Sequence, residues 1–97
     1  MIVGTIYSIK LNSGEELIAK VVEKIEGAVI VTEPVSIAPT QQGMQMIPSM
    51  FTAEPGTNVT LNTSSIAFYA TTEDSIKDKY IEATTGIKLP EKKIILG

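Results

Sequence analysis

Few residues of this 97-residue chain belong to the types that usually carry out catalysis. The chain has no Cys and no His, so it offers neither a thiolate nucleophile nor an imidazole base. Serine is the remaining nucleophile, and Ser49, Ser64 and Ser65 all lie outside any Gly-x-Ser-x-Gly turn. A serine without a histidine would need a lysine as its base. We therefore predict that the protein is not an enzyme.

Two groups of carboxylates also have spacings that could support chemistry. Glu15 and Glu16 are neighbours, and neighbouring side chains of a strand point to opposite faces, which makes a cooperating acid–base pair unfavourable. Glu73, Asp74 and Asp78 could ligate a hard cation, but acidic residues also suit the positive end of a helix. We expect no metal site and no cofactor.

The charge pattern bears on possible partners. All eight positively charged residues are Lys, and eleven acidic residues give a formal net charge of −3. Between residues 34 and 72 the one charged residue is Glu54. Because phosphate binding depends on clustered Lys or Arg, this composition argues against a high-affinity nucleic-acid binder.

Alternating apolar and polar residues, separated by turn residues, predict five short strands. They cover residues 3–11, 16–23, 28–37, 44–51 and 59–70. Gly14 suits a tight turn because it adopts positive φ without steric cost. Pro34 lacks an N–H group, so it is expected to mark a bulge or an edge. The second strand carries aliphatic side chains on both faces and is expected to be central.

The last third of the chain changes to a helical period. Residues 71–74 (Thr-Thr-Glu-Asp) predict a helix start, with one Thr as the cap. Ile76, Tyr80 and either Ile81 or Thr84 fall on one stripe of that helix.

The remaining residues predict how the chain ends. Gly86 suits the end of the helix, and Pro90 prevents its continuation. Residues 92–97 form a basic and then apolar tail, which we predict to be an edge strand or a docking arm. The chain is thus expected to be one domain, with a β-barrel over residues 1–70 and a helix and tail over residues 71–97.

No segment resembles a targeting signal or a membrane span. The N-terminus lacks a basic stretch followed by an apolar run. No apolar run approaches the roughly 20 residues that a membrane helix needs. We predict a cytoplasmic protein that does not contact a membrane, in the host-cell cytoplasm if it is viral.

A glycine turn between alternating aliphatic strands, with a small residue in the second strand, resembles the first motif of the Sm-like (LSm) family. The motif reads Ile9-x-Leu11-x-x-Gly14-x-x-Leu17-x-Ala19-x-Val21, followed by Val29-x-Val31. Taken with its helix, the chain is most similar to the Sm-like proteins of cyanophage origin. The resemblance implies a mainly β fold, namely a five-stranded, strongly bent SH3-like barrel followed by an α-helix and a short tail.

The resemblance also implies a homo-oligomeric ring of five to seven subunits, in which the fourth strand of one subunit pairs with the fifth strand of the next. Unpaired backbone groups at sheet edges give such pairing a physical reason. Flexible methionines between residues 44 and 53 suit an adaptable interface, although they could equally fill the subunit's own core. The predicted interface residues are Met44, Met46, Ile47, Met50, Ile66 and Phe68.

Two elements of Sm-like RNA binders are altered in this chain. In place of Asp-x-x-Met-Asn, between strands two and three, stand residues 24–27 (Lys-Ile-Glu-Gly). In place of Ile-Arg/Lys-Gly, between strands four and five, stand residues 54–60, which contain no basic residue. We therefore predict a ring that acts as a structural or protein-interaction module and docks another protein through its helix and tail. The alternative is a weak RNA binder that modulates transcripts through Lys24, Asn58, Thr60 and Asn62.

Overall fold

A computed structural model describes residues 1–54 and 56–85 of the chain. Within these ranges the chain forms six strands, a single-turn 3₁₀ helix at Thr63–Ser65 and one α-helix. The strands are β1 (Ile6–Leu11), β2 (Glu16–Ile25), β3 (Ala28–Thr40), β4 (Gly43–Pro48), β5 (Val59–Asn62) and β6 (Ile66–Thr71), and the helix is α1 (Asp74–Thr85). The prediction of a mainly β protein with a C-terminal helix is confirmed. The strand count is six rather than five because the 3₁₀ turn divides the predicted fifth strand.

The strands form one antiparallel sheet in the order β4-β3-β2-β1-β6, and β5 also pairs with β3. Since β3 has thirteen residues, two strands lie end to end along one of its edges. There β5 pairs with residues 28–31 of β3, and β4 pairs with residues 35–40. No ladder joins β5 to β6 in the part of the chain that the structure describes, so the sheet there does not close into a barrel.

A bulge in β3 separates the parts that pair with β5 and β4. Thr32 pairs with Lys20, whereas Val35 pairs with Ile18, so two residues of β3 lie opposite one residue of β2. Pro34 occupies this bulge, which confirms its predicted position. Such a bulge bends a strand and increases its twist, and it shifts the register between the two parts of β3.

The core consists of two apolar clusters on opposite faces of the sheet. Leu17 and Ile18, neighbours in β2, are both buried and belong to different clusters, which confirms that β2 is central and covered. The first cluster contains Tyr7, Ile9, Leu17, Ala19, Val21, Val29 and Val31. The second contains Ile6, Ile18, Val35 and Tyr80, with Ile37, Met46 and Ile76 packed against it. Each fully buried aliphatic side chain stabilises the fold by roughly 1.5–3 kcal/mol.

Helix α1 packs on the second cluster through Ile76 and Tyr80, two of the residues predicted for its apolar stripe. Ile81 is exposed, so the stripe continues toward the half-buried Thr84. Thr72, one candidate for the helix cap, is buried and forms a 3.0 Å hydroxyl–hydroxyl hydrogen bond with Ser8. This bond joins the segment before α1 to β1.

The predictions for Gly86, for Pro90 and for the tail at residues 92–97 lie outside the described residues. Within the described chain, no helix combines the length and the apolar character that crossing a lipid bilayer requires.

Candidate assembly surface

The two strands at the ends of the sheet path, β4 and β6, are unusually exposed. In each of them five of the six residues are exposed; the exceptions are the half-buried Met46 and Ile66. Large apolar side chains are among the exposed ones, with Met44 at 66% and Phe68 at 65% of their maximum exposure. Both strands therefore present apolar surface and a backbone edge to solvent.

The structure divides the six predicted interface residues into two groups. Met44, Ile47, Met50 and Phe68 are exposed. Met46 packs against the second core cluster, and Ile66 packs against the first. The exposed group is free to contact another molecule, whereas Met46 and Ile66 contribute to packing within their own subunit.

The alternation of side chains assigns β4 and β6 residues to faces of the sheet. Tyr69 pairs with Ile9 of the first cluster, so its ring lies on that face and Phe68 lies on the face covered by α1. Met46 packs on the α1 face, so Ile47 lies on the opposite face, with Tyr69. Each edge strand thus has apolar side chains on both faces.

A groove of about 530 Å³ lies between β6 and the β2–β3 hairpin, and we call it the β6 groove. Apolar side chains make up most of its lining, and Lys24 adds a cation. Its lining includes Lys24, Ile25, Val29, Ile66, Phe68 and Tyr69. An aromatic or aliphatic group with an acidic neighbour would match this combination.

Tyrosine contacts fix the wall of the β6 groove. The rings of Tyr7 and Tyr69 meet edge to face, with their centroids 5.4 Å apart. The Tyr7 hydroxyl accepts a 2.7 Å hydrogen bond from the backbone N–H of Ile2, and the Tyr69 hydroxyl accepts a 3.5 Å bond from the Met1 ammonium. These bonds hold the N-terminal residues against the groove, where Met1 joins its lining.

The predicted RNA-binding residues are spread along one edge rather than gathered in one place. Asn62 pairs with Ala28 near the hairpin that carries Lys24. Thr60 lies two residues further along β5, and Asn58 precedes the strand. Given a rise of about 3.3 Å per residue, Asn58 lies about 13 Å from Asn62. Lys24 and Asn62 are therefore the pair that the fold brings to the same end of the sheet.

The β4–β5 loop, described for residues 49–54 and 56–58, is anchored where it leaves β4. The backbone N–H of Ser49 donates a 3.1 Å hydrogen bond to the carbonyl of Pro34. The Ser49 hydroxyl lies 3.0 Å from the hydroxyl of Ser36, which in turn donates to the carboxylate of Glu15. Ser36 is buried, so these hydrogen bonds satisfy polar groups that water does not reach.

A second groove, of about 800 Å³, separates α1 from β4. Ile37, Met44, Met46 and Ile76 contribute apolar surface to it, and Glu73 is among its charged lining residues. In residues 1–54 and 56–85, no three acidic side chains come together in a way that could hold a metal ion.

Sequence reasoning identified Phe68 and Lys24 separately but missed the β6 groove and Tyr69. The groove depends on the β2–β3 hairpin lying beside β6, and these elements are about 40 residues apart in the chain. The alternating apolar residues 66–69 were the available signal. Compared with known proteins, the chain matches no family model, and no curated protein matches it.

Proposed function

We propose that the protein is a self-assembling module in which β4 of one copy pairs with β6 of the next. The exposure of both end strands on both of their faces carries this proposal. Unpaired strand edges with apolar side chains favour the addition of another strand. Because β4 and β6 are different surfaces, the contact is head-to-tail, and such a contact closes into a ring of about five to seven copies when the rotation allows.

The two edges are also compatible in the faces that they present. Continuing the sheet from β4 into a neighbour's β6 places Met44 on the same face as Phe68, over the α1 side. It places Ile47 on the same face as Tyr69, over the first cluster. Cross-strand apolar pairs of this kind are the units that stabilise a sheet.

Assignment to the Sm-like family is part of this proposal. Gly14 has a φ of 95° in the turn between β1 and β2, and Ala19 is fully buried opposite the β3 bulge. A turn glycine and a small second-strand residue are the features on which the resemblance depends. In this assignment, β5 and β6 together take the place of the fifth strand of an Sm-like barrel.

The ring would serve as a structural or protein-interaction module. A net charge of −3 without arginine disfavours a primary role in binding nucleic acid. The outer surface of α1, where Ile81 is exposed, is the surface proposed for docking another protein.

Solution mass tests the assembly directly. Light scattering should give a discrete mass of several subunits for the wild type. The Ile47→Lys variant should dissociate, because it places a charge in the β4–β6 contact. Ile81→Lys is the matched control, since Ile47 and Ile81 are 39% and 40% exposed. A wild type that stays monomeric from dilute to concentrated solution contradicts the proposal.

RNA binding is the second candidate function, and the β6 groove is the observation that favours it. Lys24 lines this groove together with Phe68 and Tyr69. An aromatic ring can stack on an unpaired base, and a nearby ammonium can contact phosphate. We rank this function second because the net charge repels nucleic acid at long range.

Titration with oligo-U and oligo-A, at low and at physiological salt, tests this second function. Lys24→Gln should weaken binding, whereas Lys20→Gln, an exposed lysine on the same strand, should have a smaller effect. Contacts to phosphate are strongest at low salt, so absence of binding there removes the candidate.

A further inference from the structure

Phe51 is the most exposed of the large apolar side chains in the described chain, at 79%. It lies in the β4–β5 loop, two residues after Ser49, whose backbone and side chain are both hydrogen-bonded. The loop thus holds a large aromatic side chain in solvent, close to an anchored residue. Exposing so large an aromatic side chain is unfavourable unless another surface covers it.

Strand direction leads this loop toward the β6 groove of a neighbouring copy. Every ladder within the subunit is antiparallel. If β4 pairs with a neighbour's β6 in the same sense, Pro48 comes to the end of β6 where Ile66 lies. Residues after Pro48 then run toward Thr63, which lines the β6 groove together with Ile66. Phe51 is three residues beyond Pro48 and can reach about 10 Å further.

The chemistry of the loop complements that of the groove. The groove is mainly apolar and carries Lys24. The loop supplies Phe51 and, three residues later, Glu54, which is the one charged residue between positions 34 and 72. An aromatic side chain with a nearby carboxylate therefore meets an apolar groove with a nearby ammonium.

We propose that Phe51 of one copy occupies the β6 groove of the next copy, where Glu54 pairs with Lys24. The occupant of the groove is thus a second copy of this chain. This inference rests on the proposed self-assembly, to which it adds the contact that fixes the direction and register of each β4–β6 junction.

Truncation of the aromatic side chain is the first test. Phe51→Ser should raise the dissociation constant of the assembly at least tenfold, measured by sedimentation velocity, because buried aromatic anchors dominate interfaces. Ile81→Ser removes exposed apolar surface on α1 and should leave the dissociation constant within about twofold of wild type. Circular dichroism should show the same fold for both variants, since neither side chain is buried.

A charge exchange is the second test, and it does not depend on removing apolar surface. Glu54→Lys and Lys24→Glu should each weaken assembly, and the double variant should recover most of the loss. The double variant has the same net charge as the wild type, so recovery reports a specific pairing between the two positions.

The outcomes separate this inference from the proposed function. If Ile47→Lys dissociates the assembly while Phe51→Ser and both charge reversals leave it intact, self-assembly stands and the occupant of the groove is wrong. If Lys24→Glu abolishes oligonucleotide binding without changing assembly, the groove belongs to nucleic acid and the inference is overturned. A monomeric wild type contradicts both proposals.

Discussion

The phenolic hydroxyl of Tyr80 donates a 3.0 Å hydrogen bond to the backbone carbonyl of Thr32, immediately before the bulge in β3. Tyr80 is 3% exposed and is the buried residue of α1. A single side chain therefore supplies the helix both with apolar contact and with a polar attachment to the point where the sheet bends.

Removal of the Tyr80 hydroxyl should weaken this attachment. Tyr80→Phe keeps the ring in the second cluster but leaves the Thr32 carbonyl without that donor. A net hydrogen bond contributes about 1 kcal/mol, so the free energy of unfolding should fall by about that amount. Urea denaturation measures the change. Tyr69→Phe is the control, because the hydroxyl of Tyr69 contacts the N-terminal amine in an exposed setting.

Alkaline pH should weaken the same contact. Burial is the main cause that raises the pKa of Tyr80 from 10.0 to about 12; a backbone hydrogen bond from Lys20 opposes the shift and the charge of Glu33 adds to it. In the unfolded chain Tyr80 ionises near its ordinary pKa, so the unfolded state loses this proton first. The neutral phenol therefore contributes stability that is present below pH 10 and is lost as the pH rises toward 12.

The pH effect is best read as a difference between wild type and Tyr80→Phe, because lysines and the other tyrosines titrate in the same range. The stability of the wild type relative to the variant should decline between pH 10 and 12, by up to about 3 kcal/mol. A constant difference across this range would contradict the assignment.

Ala19 should tolerate little enlargement. It is completely buried opposite the bulge in β3. Ala19→Leu adds volume to a packed site and should reduce the free energy of unfolding by about 1–3 kcal/mol. Lys20→Leu, at the exposed neighbouring position, should change it by less than about 0.5 kcal/mol. Thermal unfolding of both variants distinguishes tight packing at Ala19 from a general effect of adding Leu to β2.

Met46 and Ile47 should respond differently to the same substitution. Met46→Lys would bring an ammonium against the second core cluster, so it should destabilise the subunit itself. Ile47→Lys should leave the subunit folded, because Ile47 is exposed. Circular dichroism and light scattering on both variants separate unfolding from dissociation. Equal stability of the two would contradict the packing of Met46.

Ser36 should control the mobility of the β4–β5 loop at its origin. Ser36→Ala removes the hydroxyl that bonds both Glu15 and Ser49. The amide of Ser49, which donates to the carbonyl of Pro34, should then exchange its hydrogen faster. Hydrogen exchange followed by NMR measures this rate. The amide of Val21, bonded to Thr5 elsewhere in the fold, should keep its wild-type rate.

Much of the local structure could be predicted because it depends on residues close in sequence. The turn at Gly14, the bulge at Pro34 and the helix stripe through Ile76 and Tyr80 follow from backbone freedom, the missing proline N–H and the helical period. The break at Thr63–Ser65 was missed because it contains neither Gly nor Pro. There Thr63 bonds the carbonyl of Gly27 through both its N–H and its hydroxyl, a contact that only the folded chain provides.

The candidate assembly surface was predictable only in part, for a related reason. Met44 and Met46 have the same residue type and lie on the same face of β4, so periodicity cannot distinguish them. Met46 contacts the second cluster, whereas Met44 remains exposed. That difference depends on where α1 lies over the sheet. The β6 groove likewise required elements distant in the chain to be placed side by side.

The arrangement of β4 and β5 along one edge of β3 has a consequence for how the chain can vary. Val35 pairs with Pro48 and Val31 pairs with Val59, so the intervening polypeptide departs and returns at nearly the same point. Insertions between Pro48 and Val59 would therefore leave both ladders in register, and foreign peptides could be grafted there for display without redesign of the scaffold.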